Sequence, residues 1–268
     1  MRALFTIVAM GAVTIGFFLA LIYFWQSSLI LLPGIGGSSA DVLAQCGPGS
    51  AVWQVSGKYR GKVCEPAGLA KGTVILYHGN AGTVDDRTGL AEVLIGRGFR
   101  VALSEYPGYG KREGSATINS VLAASLDDFE IAHAKWPAPV YLLGESLGAG
   151  IAAEVVEKHP EKVAGIILIT PWDSLANVVN SMFFVPLSFL LHQRFDTVQA
   201  LTEYRGSVVI VAAERDEVLS VSHARALAKA VPSAAYLELR GAGHNDWPSF
   251  MTREDWDWVM KSLVKPPA

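Results

Sequence analysis

Ser146 lies in Gly144-Glu145-Ser146-Leu147-Gly148, between the apolar run Val140-Tyr141-Leu142-Leu143 and a small-residue, helix-forming run beginning at Ala149. A strand that turns at once into a helix needs small residues two positions either side of the turning residue, and such a turn pushes a serine hydroxyl out above the strand. At the helix N-terminus, the positive end of the dipole favours the negative charge that develops during acyl transfer. A serine hydroxyl is a poor nucleophile until a base takes its proton, and the base needs a carboxylate to orient it. His244, in Arg240-Gly241-Ala242-Gly243-His244-Asn245-Asp246, sits in a glycine-loosened loop after the last apolar strand and is the strongest base candidate. His133, His159, His192 and His223 fall within or at the ends of helical stretches, where surface or capping roles are expected; His78 ends a strand.

For the acid, the strand 208–212 runs into Ala213-Glu214-Arg215-Asp216-Glu217-Val218. Asp216 has the right place in the loop; Glu214 is too early on the strand, and Glu217 is expected to turn into solvent. The order Ser146, Asp216, His244 matches one of the three unrelated orders in which such triads occur. The strand 73–77 leads into His78-Gly79-Asn80-Ala81-Gly82, whose small residues let backbone N–H groups approach a substrate. The oxyanion donors are therefore expected to be the amides of Asn80 and of Leu147, the residue after the nucleophile. A glycine-rich loop before a helix could bind phosphate instead. However, neither a Gly-Lys-Ser/Thr ending nor a Gly-x-Gly-x-x-Gly pattern is present.

The elements that must hold these residues alternate from residue 73 onward. Apolar strands are expected at 73–77, 100–104, 140–143, 164–170, 207–212 and 236–239, with amphipathic helices at 84–97, 118–135, 147–159, 221–231 and 247–264. Strands apolar on both faces, alternating with helices, predict an α/β fold: a mostly parallel sheet covered on both sides, with ligands beyond the strands' carboxyl ends. The stretch 171–206 breaks the alternation and contains Met182-Phe183-Phe184-Val185-Pro186-Leu187-Ser188-Phe189-Leu190-Leu191. It is placed to form a small lid over the elbow, with an acyl-chain groove or membrane contact as its use; the same residues could instead simply pack on the sheet.

The remaining signals lie before the sheet. Between Arg2 and Asp41 there is no Asp, Glu, Lys, Arg or His, and residues 3–25 are almost continuously apolar. As a helix they would reach about 35 Å and cross the roughly 30 Å hydrocarbon core. Tyr23 and Trp25 end the run, as interface-seeking rings do. A cleaved signal peptide is the competing reading, but its apolar core is usually shorter, and no small-x-small site follows closely. The expected organisation is an anchor at 3–25, a linker at 26–50 and a catalytic domain at 51–268. Arg2 precedes the span and the first lysine after it is Lys58, so the positive-inside bias puts the N-terminus in the cytoplasm and the catalytic domain on the extracytoplasmic side. Cys46 and Cys64 are the chain's two cysteines and flank a β-like section. In an exported domain they can close a hairpin as a disulfide; two unrelated thiols is the alternative. The net charge of −3, with no basic stripe, argues against a nucleic-acid partner.

From about residue 50 onward the chain resembles the α/β-hydrolase superfamily. The resemblance rests on His78-Gly79-Asn80-Ala81-Gly82, Tyr106-Pro107-Gly108-Tyr109-Gly110, the elbow around Ser146, Asp216, and Gly243-His244-Asn245-Asp246. These are similar to the single-pass, membrane-anchored branch that includes animal protein depalmitoylases and many bacterial hydrolases. That likeness implies a serine hydrolase of esters or thioesters acting on a small-molecule or lipid acyl substrate, with no cofactor and no metal. Glu105 stands where the branch usually has Asp, Ala212-Ala213 replaces His-Gly, and Leu219-Ser220 replaces Val-Pro. None of these removes a triad member. The segment 106–110 is expected to be a structural turn. Two alternatives stay open: a serine peptidase of the same fold, and an anchored binding protein without catalysis. The family's oligopeptidases usually carry a large gating domain, which the section between anchor and sheet is too short to build.

Overall fold

Eight strands, β1 (Ala51–Val55), β2 (Lys58–Cys64), β3 (Thr73–Tyr77), β4 (Arg100–Ser104), β5 (Val140–Glu145), β6 (Gly165–Ile169), β7 (Ser207–Ala213) and β8 (Ala235–Leu239), form a sheet ordered β1-β2-β4-β3-β5-β6-β7-β8. β1 and β2 make an antiparallel hairpin, β2 runs antiparallel to β4, and every pairing from β4 to β8 is parallel. The computed structural model describes residues 2–35, 41–136, 139–182 and 186–264. Residues 36–40 of the expected linker, 183–185 of the expected lid and 265–268 of the expected catalytic domain lie outside them.

Side-chain alternation on the central strands feeds two cores. Ile75 and Tyr77 of β3 face one apolar cluster with Phe129, Val155 and Leu227. Val74 and Leu76 face the other, with Leu94, Val259 and Leu263. Helices α3 (Ile118–Lys135), α4 (Leu147–Lys158) and α7 (Val221–Ala230) thus cover one face, and α2 (Thr88–Ile95) and α8 (Arg253–Leu263) the other. This is the mostly parallel sheet covered on both faces that the alternation predicts, and the α/β-hydrolase fold that the resemblance implies. The parallel register pairs Tyr77 with Gly144 and Glu145 with Ile169, so the loops after β3, β5 and β6 emerge side by side at one edge.

Several boundaries differ from expectation. The apolar helix α1 runs Arg2–Ile30, past Trp25, because nothing before Pro33 interrupts helical geometry. Its segment Phe5–Ile30 has a mean hydropathy of 2.4, long and apolar enough to cross a membrane. The first five residues of the expected linker are therefore helix, and Gln26 among them is buried. The helix expected at 84–97 opens with a 3-10 turn, Val84–Arg87. There Thr83 and Asp86 cap each other, and Asp85 is drawn away to the Val42 amide (2.8 Å) and to Lys62. The helix expected at 247–264 is likewise split: Pro248 opens a 3-10 turn at Trp247–Ser249, and Thr252 caps a new start at Arg253. Among its described residues, the stretch 171–206 holds the short α-helices α5 (Leu175–Met182) and α6 (Thr197–Thr202) and a 3-10 turn at Ser188–Leu190. In this stretch Leu187 is buried, whereas Met182 and Phe189 are exposed.

Cys46 and Cys64 are joined, with a Cα–Cα distance of 5.1 Å, tying the chain before β1 to the end of β2. They lie 18 residues apart, and closing a loop of that size stabilises by about 3 kcal/mol in the chain-entropy account. Replacing both by serine is therefore expected to lower thermal stability by about that amount while leaving hydrolytic activity intact; parallel melting curves check it.

Candidate active site

The elbow is built as its glycines require. Ser146 has φ 54° and ψ −114°, a conformation costly for a residue with a Cβ. The turn survives because its flanks carry no side chains: a Cβ on Gly144 would lie 2.6 Å from Ala149 Cα, and one on Gly148 would lie 2.7 Å from His78 O. The Ser146 amide donates to Ile169 O (2.9 Å), tying the elbow to β6.

The three residues predicted to act together are brought together. Ser146 Oγ lies 3.0 Å from His244 Nε2, and His244 Nδ1 lies 2.7 Å from Asp216 Oδ2. The Asp216 carboxylate can only accept, so Nδ1 carries the proton and Nε2 is left to accept from the serine hydroxyl. The other Asp216 oxygen accepts from the amides of Val218 (2.9 Å) and Leu219 (2.6 Å), fixing the carboxylate in its own loop. Ser146 and His244 are only 9% and 8% exposed, so the pair is shielded without being sealed. Glu214 and Glu217, the rival acids, have a different task. Glu214 accepts from the Gly241 amide (2.7 Å), and Glu217 accepts from the His244 amide (3.2 Å). Glu217 is thus exposed but not merely solvated; it braces the histidine loop.

The amides of Asn80 and Leu147 make no hydrogen bond to any other group among the described residues. Buried or half-buried N–H groups are rarely left unpaired, so these two are suited to an arriving oxygen; a Cβ on Gly79, the residue before Asn80, would lie 3.8 Å from Ser146 Cβ. The Asn80 loop is tightly held. His78 Nδ1 bonds Gly79 O (2.9 Å), its Nε2 faces Glu105 Oε1 (3.0 Å), and Tyr106 donates to His78 O (2.7 Å). His78 and Glu105 are both fully buried, at the ends of adjacent strands β3 and β4. The sequence reading passed over this pair. The signal was there: a charge-bearing residue closing each of two apolar strands needs a partner once buried.

Glu145 was passed over in the same way. Its carboxylate sits 2.6 Å from Arg87 Nε and accepts from Trp247 Nε1 (3.3 Å), so it links the elbow to the helix after the Asn80 loop and to the histidine loop. Arg87 and Glu145 also form part of the wall of a cleft of about 810 Å³, with Gly82, Leu90, Met251 and Trp256; Ser146 does not line it. His223 corrects the expectation of a surface role. It is buried, with Nδ1 2.8 Å from Asp173 Oδ1 and Nε2 3.2 Å from Ser181 Oγ, and it pins α5 to α7. Burial alone would raise the Asp173 carboxyl, but hydrogen bonds from His223, Asn177 and Ser174 outweigh it and hold the group below the usual carboxylate range.

The comparisons with known proteins agree with this fold. An uncharacterized protein of Mycobacterium tuberculosis is 28% identical over 257 residues, covering 91% of this chain and 87% of its own. The lysophosphatidylserine lipase ABHD12 of Danio rerio is 39% identical over 115 residues, covering 40% of this chain and 30% of that protein. Among solved structures, a bacterial membrane phospholipase A superposes with a TM-score of 0.66 at 17% identity, over 99% of both chains. Residues 68–205, more than half of the chain and everything from the approach to β3 through α6, match the family described as serine aminopeptidase, S33. The chain is a serine hydrolase on the α/β-hydrolase fold, and it belongs to the serine aminopeptidase, S33 family.

Proposed function

We propose that the protein is a membrane-anchored enzyme that cleaves carboxylic ester or thioester bonds of acyl lipids through an acyl-enzyme on Ser146. The observation that carries this reading is the pair of distances from Ser146 Oγ to His244 Nε2 and from His244 Nδ1 to Asp216 Oδ2. His244 takes the serine proton as Oγ attacks the carbonyl carbon, and Asp216 steadies the imidazolium that forms. The oxygen that becomes negative turns toward the amides of Asn80 and Leu147. The tetrahedral intermediate collapses as His244 returns the proton to the leaving alcohol or thiol. Water, deprotonated by the same histidine, then releases the carboxylic acid and restores Ser146.

Two features support an acyl lipid over a peptide. ABHD12 of Danio rerio, similar to this chain over 115 residues, is a lysophosphatidylserine lipase. The exposed Met182 and Phe189 lie on the stretch expected to form a lid, in a chain whose N-terminal helix is suited to a membrane. The catalytic domain faces the extracytoplasmic side in this reading, which suits the Cys46–Cys64 disulfide. Thiols at both positions, trapped by a membrane-permeant maleimide in intact cells, would reverse that orientation.

The deciding experiment offers the full chain, in detergent micelles, a lysophospholipid, a medium-chain acyl ester, an acyl thioester and an aminoacyl amide. Hydrolysis of one or more acyl substrates, with turnover on the amide at least 100-fold slower, is the expected result. Turnover of the amide alone would identify a peptidase, and a folded wild type that neither turns over nor takes up a fluorophosphonate would identify a binding protein.

A further inference from the structure

The chain that leaves the apolar helix does not simply descend to the domain; it is laid along the loop that carries Asn80. Leu31 is 2% exposed and belongs to the main core. Leu32 forms a parallel β-bridge with Ala81, its amide donating to Asn80 O (2.9 Å), while the Gly82 amide donates back to Ile35 O (2.8 Å). The fully buried Tyr109 completes the joint: its hydroxyl donates to Asn80 O (2.8 Å) and accepts from Leu32 N (3.0 Å). Burial pushes this hydroxyl up to about 12, so it keeps the proton it donates. One turn earlier, the buried Gln26 donates to Leu190 O (3.2 Å) and accepts from the His192 amide (2.9 Å), and Tyr23 packs edge-on against the His192 ring. The helix end is thereby fixed to the lid side as well.

These contacts bear on a single N–H. The Asn80 amide belongs to the peptide plane whose carbonyl, Gly79 O, is held by His78. The next plane is held through Asn80 O by Leu32 and Tyr109. Peptide planes are rigid, so fixing both removes the freedom of φ and ψ at Asn80 and sets the direction in which its N–H points. We propose that residues Leu31 to Ile35, with Tyr109, are a positioning strap for the oxyanion loop: the membrane-proximal chain aims the Asn80 amide at the developing oxyanion. Tyr109, expected from the sequence to be part of a structural turn, is then a positioning residue, and the membrane helix and the oxyanion loop form one mechanical unit. This rests on the reading of Ser146 as the nucleophile.

The test compares full-length Tyr109→Phe and Leu32→Pro with the wild type in micelles, using a soluble p-nitrophenyl ester. Active sites are counted by saturating fluorophosphonate labelling. Deleting an oxyanion donor costs roughly 10²–10³ in turnover, and a donor left in place but misaimed costs less. Each variant is expected to lose about 10-fold in kcat per labelled site, with KM within about twofold. A trifluoromethyl ketone, whose serine adduct carries the oxyanion, is expected to bind more weakly by the same factor as kcat/KM falls. The double variant is expected to be little worse than either single one, since both act on one carbonyl. Turnover per site within twofold of wild type would overturn the proposal, as would a loss seen only as fewer labelled sites and a lower Tm. If Leu32→Pro does not fold, Tyr109→Phe alone decides. A wild type that takes up no label removes the reading of Ser146, and this inference with it.

Discussion

Ser146→Ala is expected to lower kcat on every acyl substrate by about 10⁴-fold or more while moving stability by no more than about 1 kcal/mol. The chemical loss is large because no other hydroxyl is hydrogen-bonded to His244 among the described residues, and residual turnover would come only from the amides proposed to hold the oxyanion and from binding. The structural loss is small because the alanine keeps the same backbone and gives up one hydrogen bond of 3.0 Å. His244→Ala should be similarly inactive, and the double variant no worse than either single one, since the two residues act as a unit. Ser146→Gly separates chemistry from strain. At φ 54° a glycine pays little of the cost that a serine bears, so this variant should be equally inactive yet more stable by about 1 kcal/mol. Turnover, fluorophosphonate labelling and melting curves on the four variants check the set. A Ser146→Ala protein keeping a hundredth of wild-type turnover would move the nucleophile elsewhere.

What was legible in the sequence follows from where each constraint acts. The sheet and its helices were readable because strands buried on both faces must be almost continuously apolar, as β3 and β6 are. The Ser146, Asp216 and His244 positions were readable because each follows a strand end, and the fold fixes the order of those ends. The residues that hold the loops to one another were not readable in that way. Glu145 to Arg87, His78 to Glu105 and Asp173 to His223 join residues 27 to 58 positions apart by a single contact each, with no periodicity to announce them. Only the cost of burying a charge pointed to them, and that argument gives a need for a partner without naming one. The docking of Leu32 on Ala81 was illegible for a related reason: a single β-bridge made through backbone atoms leaves no trace in side-chain identity. The extension of α1 past Trp25 is not legible because the apolar run breaks after the aromatic rings; Gln26 and the two serines after it are tolerated in a helix that goes on to pack against protein.

Gly148→Ala is expected to cost about 3 kcal/mol of stability, the upper end for forcing a methyl group into a filled site, and to lower Tm by roughly 6–12 °C. The added Cβ would lie 2.6 Å from the Tyr77 carbonyl carbon and 2.7 Å from His78 O, both backbone atoms. Tyr77 cannot yield cheaply, because β3 is hydrogen-bonded on both sides, to β4 and to β5, and Tyr77 itself is fully buried. What can move is the helix start or the loop after β3, and either shift displaces one of the two amides beside Ser146. Turnover should therefore fall further than the loss of folded protein explains. Gly89→Ala is the matched control: its Cβ would meet nothing within 4 Å, and Gly89 sits in α2, where alanine is the better helix former by about 0.5–1 kcal/mol. That variant should melt at or above the wild type. Melting curves of both, with kcat counted per fluorophosphonate-labelled site, separate the cases. A Gly148→Ala protein that kept its Tm yet lost turnover per site would mean that the elbow yields while the sheet holds. The glycine would then serve to place the Leu147 amide more than to permit the close approach of helix to strand.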